Sequence, residues 1–389
     1  MRPTIGIGVI GFGWMGQAHS RSYLRIPTLF HKRAADPVLV ACADSEESRR
    51  RQAIDDFGFR DAHEDWRDLV ARDDVDVVVV TAPNMLHVEV VEAACAAGKH
   101  VFCEKPVGGT PAQTARAAAA ARHAGVITGV GYNYRFAPLV RHAHTLIREG
   151  RLGGVTLFRA RFFSMYGNDP LGVLSWRFLQ DEAGYGVSSD LLSHAFDLAH
   201  LLAGPIRRLV GTRATTIPER PLAGGGASHY GRGAPGDPTG NVTNEDYAAL
   251  LVEFASGATG TFEASRTLQG PESQLGFDAY GTSGALAWSL ERMNELRVNL
   301  DGEGYTTLLG GDRFPRHGAF VPGAGNPIGY EDLIAIEDFE FLEAVARGEP
   351  HEASFEQAVA VAAVQDALVR SWGSGTWEDV VAVREPVGA

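Results

Sequence analysis

Two hydrophobic periods alternate through the first third of the chain. Runs that are apolar at nearly every position occur at 5–10, 38–43, 75–81, 100–103 and 127–132. Between them, 17–25, 46–57, 88–97 and 111–124 mix apolar and polar residues at helical spacing. Short strands without alternation are covered on both faces, so this part predicts a parallel sheet with helices on either side. Such sheets take ligands at the carboxyl ends of their strands, where the strand order reverses. Beyond residue 132 the pattern changes. Helices are predicted at 138–149, from near Ser189, at 331–347 and at 355–372, and strands at 155–163, 247–254, 258–265, 277–280 and 296–300. Thr259, Thr261 and Glu263 alternate with Gly260, Phe262 and Ala264, as in a mostly antiparallel sheet with one open face. The expected organisation is α/β, with one domain at 1–132 and a second at 133–389 whose last helices can pack back on the first.

Gly11-Phe12-Gly13-Trp14-Met15-Gly16 lies between the first strand and the first helix. In that context the first glycine makes a tight turn, the second admits a pyrophosphate to the backbone, and the third lets helix and strand approach. The helix N-terminus adds N–H groups and the positive end of its dipole. An overlapping match from Gly6 to Gly11 sits inside the strand and is rejected. The first domain therefore reads as a Rossmann dinucleotide-binding domain. Asp44 and Ser45 close the second strand, where a carboxylate accepts from the adenosine ribose and repels a 2′-phosphate. Asp44 is 28 residues past Gly16, against about 20 in the usual pattern, and a loop around 27–37 accounts for the excess. Asp44 or Ser45 is also a candidate N-cap, and Arg49, Arg50 and Arg51 lie within reach of a phosphate. NAD is expected over NADP, with NADP possible.

Composition adds mainly exclusions. The formal net charge of −13 argues against nucleic acid or an anionic membrane as partner. No apolar run approaches the roughly 20 residues of a membrane span, and the N-terminus lacks a signal-peptide pattern, so a cytoplasmic protein is expected. Cys42, Cys95 and Cys103 have neither disulfide-framework nor zinc spacing and read as buried thiols. Two Gly/Pro-rich segments, 218–240 and 302–329, are candidates for the rim of a substrate cleft.

Glu104-Lys105-Pro106 closes the 100–103 strand, at the ligand-binding end of the sheet. Asp190 and His194 are four residues apart and share a helix face, with Ser188 or Ser189 as cap, while Leu191, Leu192, Phe196 and Leu198 cover the core. His194 and His200 diverge by about 240° on a helix, so no metal site is expected there.

Gly11-Phe12-Gly13-Trp14-Met15-Gly16, Thr81-Ala82-Pro83-Asn84-Met85-Leu86-His87, Glu104-Lys105-Pro106, Tyr132-Asn133-Tyr134-Arg135 and the Gly186–His194 motif occur in this order over the first half of the chain. Together they resemble the glucose-fructose oxidoreductase/inositol dehydrogenase/MocA family. Leu174-Ser175-Trp176-Arg177-Phe178 and the 218–240 loop are similar to members of the levoglucosan dehydrogenase type, alongside the inositol dehydrogenases. The resemblance implies a Rossmann domain joined to an α/β domain with an open-faced sheet, and a cleft between them for NAD and substrate. It implies that Lys105, Asp190 and His194 are catalytic, and that Thr81, Pro83, Asn84, His87 and Glu104 join the glycine turn in holding the cofactor. Alcohol oxidation suits this set: NAD takes a hydride, His194 takes the hydroxyl proton, Lys105 stabilises the alkoxide and Asp190 orients one of them. Asn133, Tyr134, Arg135, Trp176 and Arg177, with Asp190 and His194, are the candidate substrate residues. The expected substrate is a small neutral sugar, anhydrosugar or cyclitol. Alternatives are a glycosidase or lyase using NAD transiently, and a non-catalytic NAD-binding sugar sensor. The open sheet face predicts a homodimer or homotetramer.

Overall fold

The structure, a computed structural model, describes residues 2–222, 231–300 and 302–383. The amino-terminal part alternates as its hydrophobic pattern requires: β1 (Thr4–Ile10), α1 (Trp14–Leu29), β2 (Asp36–Ala43), α2 (Glu47–Asp55), β3 (Asp61–His63), α3 (Trp66–Val70), β4 (Val77–Val80), α4 (Asn84–Ala96), β5 (His100–Cys103), α5 (Pro111–Ala124) and β6 (Thr128–Val130). The six strands are parallel in the order β3-β2-β1-β4-β5-β6, so the order reverses between β1 and β4. All four residues of β4 are buried, as expected for a strand covered on both faces. Cys42, Cys95 and Cys103 are free and buried.

A buried 3-10 turn, Asn133–Phe136, leads into α6 (Pro138–Arg148) and β7 (Val155–Ser164). Then come α7 (Gln180–Ala183), α8 (Val187–Asp190), α9 (Leu192–Leu202), β8 (Ile206–Ala214), β9 (Glu219–Pro221), β10 (Thr239–Asn241), β11 (Tyr247–Phe254) and β12 (Thr259–Ser265). The chain continues through β13 (Ser273–Gly281), β14 (Ala285–Ser289), β15 (Glu295–Asn299), β16 (Thr306–Leu309), α10 (Tyr330–Arg347), α11 (Phe355–Ser374) and β17 (Glu378–Asp379). Nine strands form a sheet in the order β16-β15-β14-β13-β7-β12-β11-β8-β17, antiparallel except for the β7–β12 pair. The period-two pattern sorts its faces. Phe158, Ala160, Phe162, Gly260, Phe262 and Ala264 face the helices, while Arg159, Thr259 and Glu263 face outward. Leu192, Phe196 and Leu198 of α9 are buried against the covered face, each side chain contributing about 2 kcal/mol of burial.

The structure departs from the sequence reading where tertiary contacts outweigh local signals. α1 runs to Leu29 with Pro27 in its last turn and β2 begins at Asp36, so the loop expected around 27–37 shrinks to 30–35. Packing of Tyr23 and Ile26 holds that turn despite the proline. β3 and α3 are too short to show a period. β8 carries Arg207, Arg208 and Arg213, which hide its strand pattern. The helix expected from Ser189 is two pieces, α8 and α9, meeting at Leu191. Neither serine caps it. The cap is Gly186, where a Cβ would lie 2.0 Å from the Glu245 carbonyl oxygen, and Ser188 donates its N–H and hydroxyl to the Glu245 carboxylate instead. The described part of 218–240 pairs with 172–174, and Arg220 donates to the carbonyls of Gly167 and Asp169. Residues 223–230 of that segment lie outside the described residues. The 302–329 segment packs on α1, α6 and α10 through Phe320 against Phe30, Phe314 against His142, and Arg316 against Glu340.

The last helices brace the two sheets against each other. α10 meets α1 through the Arg21–Glu331 and Arg25–Asp332 ion pairs. α11 packs on α5, α9 and β8. At the junction Arg135 is buried against Asp197, with Nη2 2.9 Å and Nε 3.0 Å from the carboxylate, and it donates to the Glu352 carbonyl at 3.1 Å. Gln357 completes Asp197 at 2.9 Å. This corrects the assignment of Arg135 to the substrate, because its guanidinium is spent inside the protein. Replacing Asp197 with Ala strands a buried cation, which costs roughly 3–5 kcal/mol. Urea unfolding of Asp197→Ala should show a loss of that size, and a loss below about 1 kcal/mol would contradict the bracing role.

Candidate active site

The carboxyl ends of β1, β4 and β5 lie side by side, and each runs into a turn with chemistry. Backbone bonds lock the turns in step: Thr81 N–H donates to Ile10 O and Glu104 N–H to Val80 O, both at 2.9 Å. The Thr81 hydroxyl donates to the Gly11 carbonyl at 2.5 Å. Gly11 has φ +89°, and a Cβ on Gly16 would lie 2.1 Å from the Gly11 oxygen. A Cβ on Gly13 would meet no atom within 4 Å, so the space over the turn is open. α1 begins with no side-chain cap and no acidic residue in its first turn, which leaves its N–H groups to an anion. These features fit a dinucleotide pyrophosphate.

Across the junction, Lys105 Nζ lies 2.8 Å from Asp190 Oδ1 and 3.1 Å from the Asp190 carbonyl oxygen. Tyr166 donates to Asp190 Oδ2 at 3.0 Å, and Arg177 stands 3.8 Å from the same oxygen. Burial works against ionisation of Asp190, but Lys105, Arg177 and the Tyr166 hydroxyl outweigh it and hold the carboxyl well below the usual range. His194 is buried among the rings of Tyr132, Tyr134 and Phe162, with Tyr134 nearest at 4.7 Å between centroids. Burial and the charge of Lys105 push its imidazole well below the ordinary histidine value, so it is neutral at physiological pH. A small hollow beside Asp190 is lined by Tyr166, Trp176, Arg177 and Arg266. Arg177 lies over the Trp176 ring at 4.7 Å. The arrangement can donate a hydrogen bond from a cation to a ligand oxygen and accept a proton on a neutral ring, with its carboxylate already committed to the lysine.

Lys105, Asp190 and His194 thus come together, with Tyr134, Trp176 and Arg177 around them. Other expected residues have different surroundings. Phe12 is in the core between Phe57 and Phe59, and only its N–H faces the turn, donating to Asp44 at 2.6 Å. Asp44 also accepts from Glu46 N–H at 2.9 Å, next to an exposed Ser45. The N-cap of α2 is Glu46, not Asp44 or Ser45. Trp14 is 61% exposed and stacks on Tyr330, with Met15 half-buried behind it. Pro83 is the exposed cap of α4, and Asn84 donates to the Ala183 carbonyl at 3.3 Å. His87 does not face the cleft: its nitrogens lie 2.8 Å from the carbonyls of Pro106 and Ala82, tying two turns together. Glu104 lies behind the lysine, accepting from Lys105 N–H at 3.1 Å. Asn133 is buried, and Tyr330 packs at 6.1 Å from the Tyr134 ring. Tyr166, Tyr132, Phe162, Arg266 and His19 were not foreseen. Tyr166 and Arg266 follow strand ends in stretches with no motif and Phe162 lies inside β7, so the signals available were Tyr132 in its motif and the His19 position on the helix after the glycine turn.

Residues 5–132 match the family described as "Oxidoreductase family, NAD-binding Rossmann fold", and residues 140–287 match the GFO/IDH/MocA C-terminal domain. The chain is 35% identical to the levoglucosan dehydrogenase of Pseudarthrobacter phenanthrenivorans over 97% of its length and 98% of that protein's. It is 26% identical to the myo-inositol 2-dehydrogenase of Thermotoga maritima, covering 90% of this chain and 91% of that one. Among solved structures, levoglucosan dehydrogenase in complex with NADH superposes with a TM-score of 0.92 at 33% identity, over 98% of this chain and 100% of that one. The same enzyme with NADH and levoglucosan gives 0.90 at 33% identity, over 97% and 99%.

The geometry fixes two kinetic outcomes. With His194 neutral, kcat/KM should show no inflection from this ring between about pH 6 and 8. An inflection near 6.5 that disappears in His194→Asn would refute this. Tyr166→Phe removes one donor to an ionised carboxylate and should lower kcat/KM by about tenfold, with cofactor affinity unchanged in a titration calorimeter.

Proposed function

The chain belongs to the GFO/IDH/MocA family of oxidoreductases, and on that premise we propose that it oxidises a secondary ring hydroxyl of a sugar, anhydrosugar or cyclitol to a ketone. The observation that carries this reading is the Lys105–Asp190 ion pair beside the neutral His194. NAD, when bound at the glycine turn, supplies the hydride acceptor. Lys105 donates a hydrogen bond to the substrate hydroxyl oxygen and stabilises the negative charge that develops there. His194 accepts the hydroxyl proton. Its depressed basicity is matched by the increased acidity of a hydroxyl held against an ammonium group. Asp190 fixes the lysine and, being clamped by Tyr166, does not swing away from it. The Trp176 ring lining the hollow and the Tyr134 ring beside His194 suit the apolar face of a sugar ring, and Arg177 suits its hydroxyls. Similarity to levoglucosan dehydrogenase makes a levoglucosan-like pyranose the first substrate to try. Asp44, held at the end of β2 by Phe12 N–H, favours NAD by repelling a 2′-phosphate.

The assay is NAD reduction followed at 340 nm with levoglucosan, inositols and hexoses, and with NADP in parallel. Turnover is expected on at least one of them, with NAD the better cofactor. Lys105→Ala should lower kcat by about a hundredfold or more while NAD still binds, since it removes a charge stabiliser used in the transition state. No turnover on any polyol in either direction, or near-normal turnover of Lys105→Ala, would sink the proposal.

The open sheet face bears Arg159, Thr212, Leu251, Thr261 and Glu263 around a shallow apolar floor. Leu251 is 51% exposed there. We infer that a second copy of the chain covers this face, because exposed apolar sheet surface is otherwise an aggregation risk. Light scattering at micromolar concentration should give a dimer or tetramer, and Leu251→Glu should shift it toward the monomer. A monomeric native protein would overturn this.

A further inference from the structure

Behind the lysine turn lies a buried histidine that the reaction itself does not use. His19 is in the second turn of α1 and has no exposed surface. Its Nε2 is 3.2 Å from Glu104 Oε1, and its Nδ1 is 2.8 and 3.1 Å from the two oxygens of Asp338 on α10. The other oxygen of Glu104 accepts the Lys105 backbone N–H. Gly131 presses on that carboxylate from the far side, where a Cβ would lie 2.7 Å from Glu104 Oε2. One imidazole therefore joins the glycine-turn helix, the Glu104-Lys105-Pro106 turn and α10.

The hydrogen bonding fixes the ring's charge. An ionised carboxylate only accepts, so a ring that bonds carboxylates at both nitrogens must carry a proton on each. The titratable groups acting on it are Glu104 from the turn after β5 and Asp338 and Glu337 from α10, with Lys105 acting on Glu104 and Tyr23 of α1 beside Asp338 and Glu337. Glu337 is buried with neither oxygen hydrogen-bonded among the described residues, and burial together with Glu104 pushes it well above the usual carboxylate range, so it adds no third anion. Burial alone would lower His19, but Asp338 and Glu104 raise it well above the ordinary histidine value.

We propose that His19 is a permanent imidazolium that holds Glu104, and through it the Lys105 turn, in register with the helix that carries the cofactor. His19 and Asp338 are then positioning residues for hydride transfer. The role rests on the reading of Lys105 given above, whereas the charge on the ring does not. In the absence of the cation, Glu104 would face Asp338 across a dry gap and the lysine turn would shift or Glu104 would take up a proton.

Neutron diffraction from perdeuterated native protein at pH 8 tests the charge without any turnover: deuterium is expected on both His19 nitrogens, and a singly deuterated ring overturns the proposal. Kinetics test the role. His19→Gln should lower kcat at least tenfold, change the NAD dissociation constant less than threefold, and give kcat/KM a new acidic limb from Glu104. In a Glu104→Gln background the same substitution should cost less than twofold, because the carboxylate it serves is gone. Equal losses in both backgrounds mean a merely structural histidine and overturn the positioning role. If His19→Gln does not fold, Asp338→Asn, which keeps the volume and an acceptor, carries the same cycle. An enzyme inert toward every polyol with a doubly deuterated ring would defeat the alcohol oxidation and uphold the imidazolium; an active enzyme with a neutral ring would do the reverse.

Discussion

A lysine ammonium and an aspartate from opposite sides of the junction hold each other at 2.8 Å, and much of the molecule is arranged to keep them there. Lys105 stands at the end of a strand whose position is set by a parallel sheet. Asp190 stands at the end of a four-residue helix set by a glycine pressed on the Glu245 backbone. A half-buried ion pair contributes little to stability by itself, because desolvation offsets attraction. Its value here is positional. With Tyr166 on the second carboxylate oxygen, neither partner can leave without stranding a charge.

The electrostatics around this pair form two layers. On the cleft side Lys105 and Arg177 share one carboxylate, which leaves excess positive charge where a hydroxyl oxygen would become negative. The same charge, with burial, keeps His194 neutral and so able to accept a proton. Behind the lysine turn the balance inverts: Glu104 and Asp338 flank His19, and Glu337 lies close by. His19 and Asp338 are fully buried in this rear layer, so their charges act over short distances at low dielectric and tie α1 and α10 to the turn.

The relatives that align over nearly the whole chain include dehydrogenases of an anhydrosugar and of inositols, and the hollow beside Asp190 is lined by an indole, a phenol and guanidinium groups, the side chains that suit a neutral polyhydroxyl ring. The two arginines that border it are not equivalent. Arg266 is committed to Asp246 and Asn244, whereas Arg177 lies over the Trp176 ring with a long contact to Asp190 and is the freer of the two to meet a ligand.

The catalytic candidacy of Lys105, Asp190 and His194 came from the family resemblance, whereas local pattern by itself determined the alternation of strands and helices to residue 132, the glycine turn, the two-faced character of the second sheet, and the placement of those three residues at strand and helix ends. Those features rest on periodicity, on backbone geometry that only glycine meets, and on reactive residues at strand and helix ends, all of which are encoded within a few neighbouring positions. Tertiary structure decided which charges meet. Arg135 sits beside two motif residues in sequence yet is consumed by Asp197, His87 is turned onto two carbonyls, and Tyr166 reaches an aspartate 24 residues away. His19 and Asp338, 319 positions apart, become partners only when α10 closes on α1. Pairings of that kind depend on how elements pack, and packing is set by the shape of the whole core, which no single stretch of sequence carries.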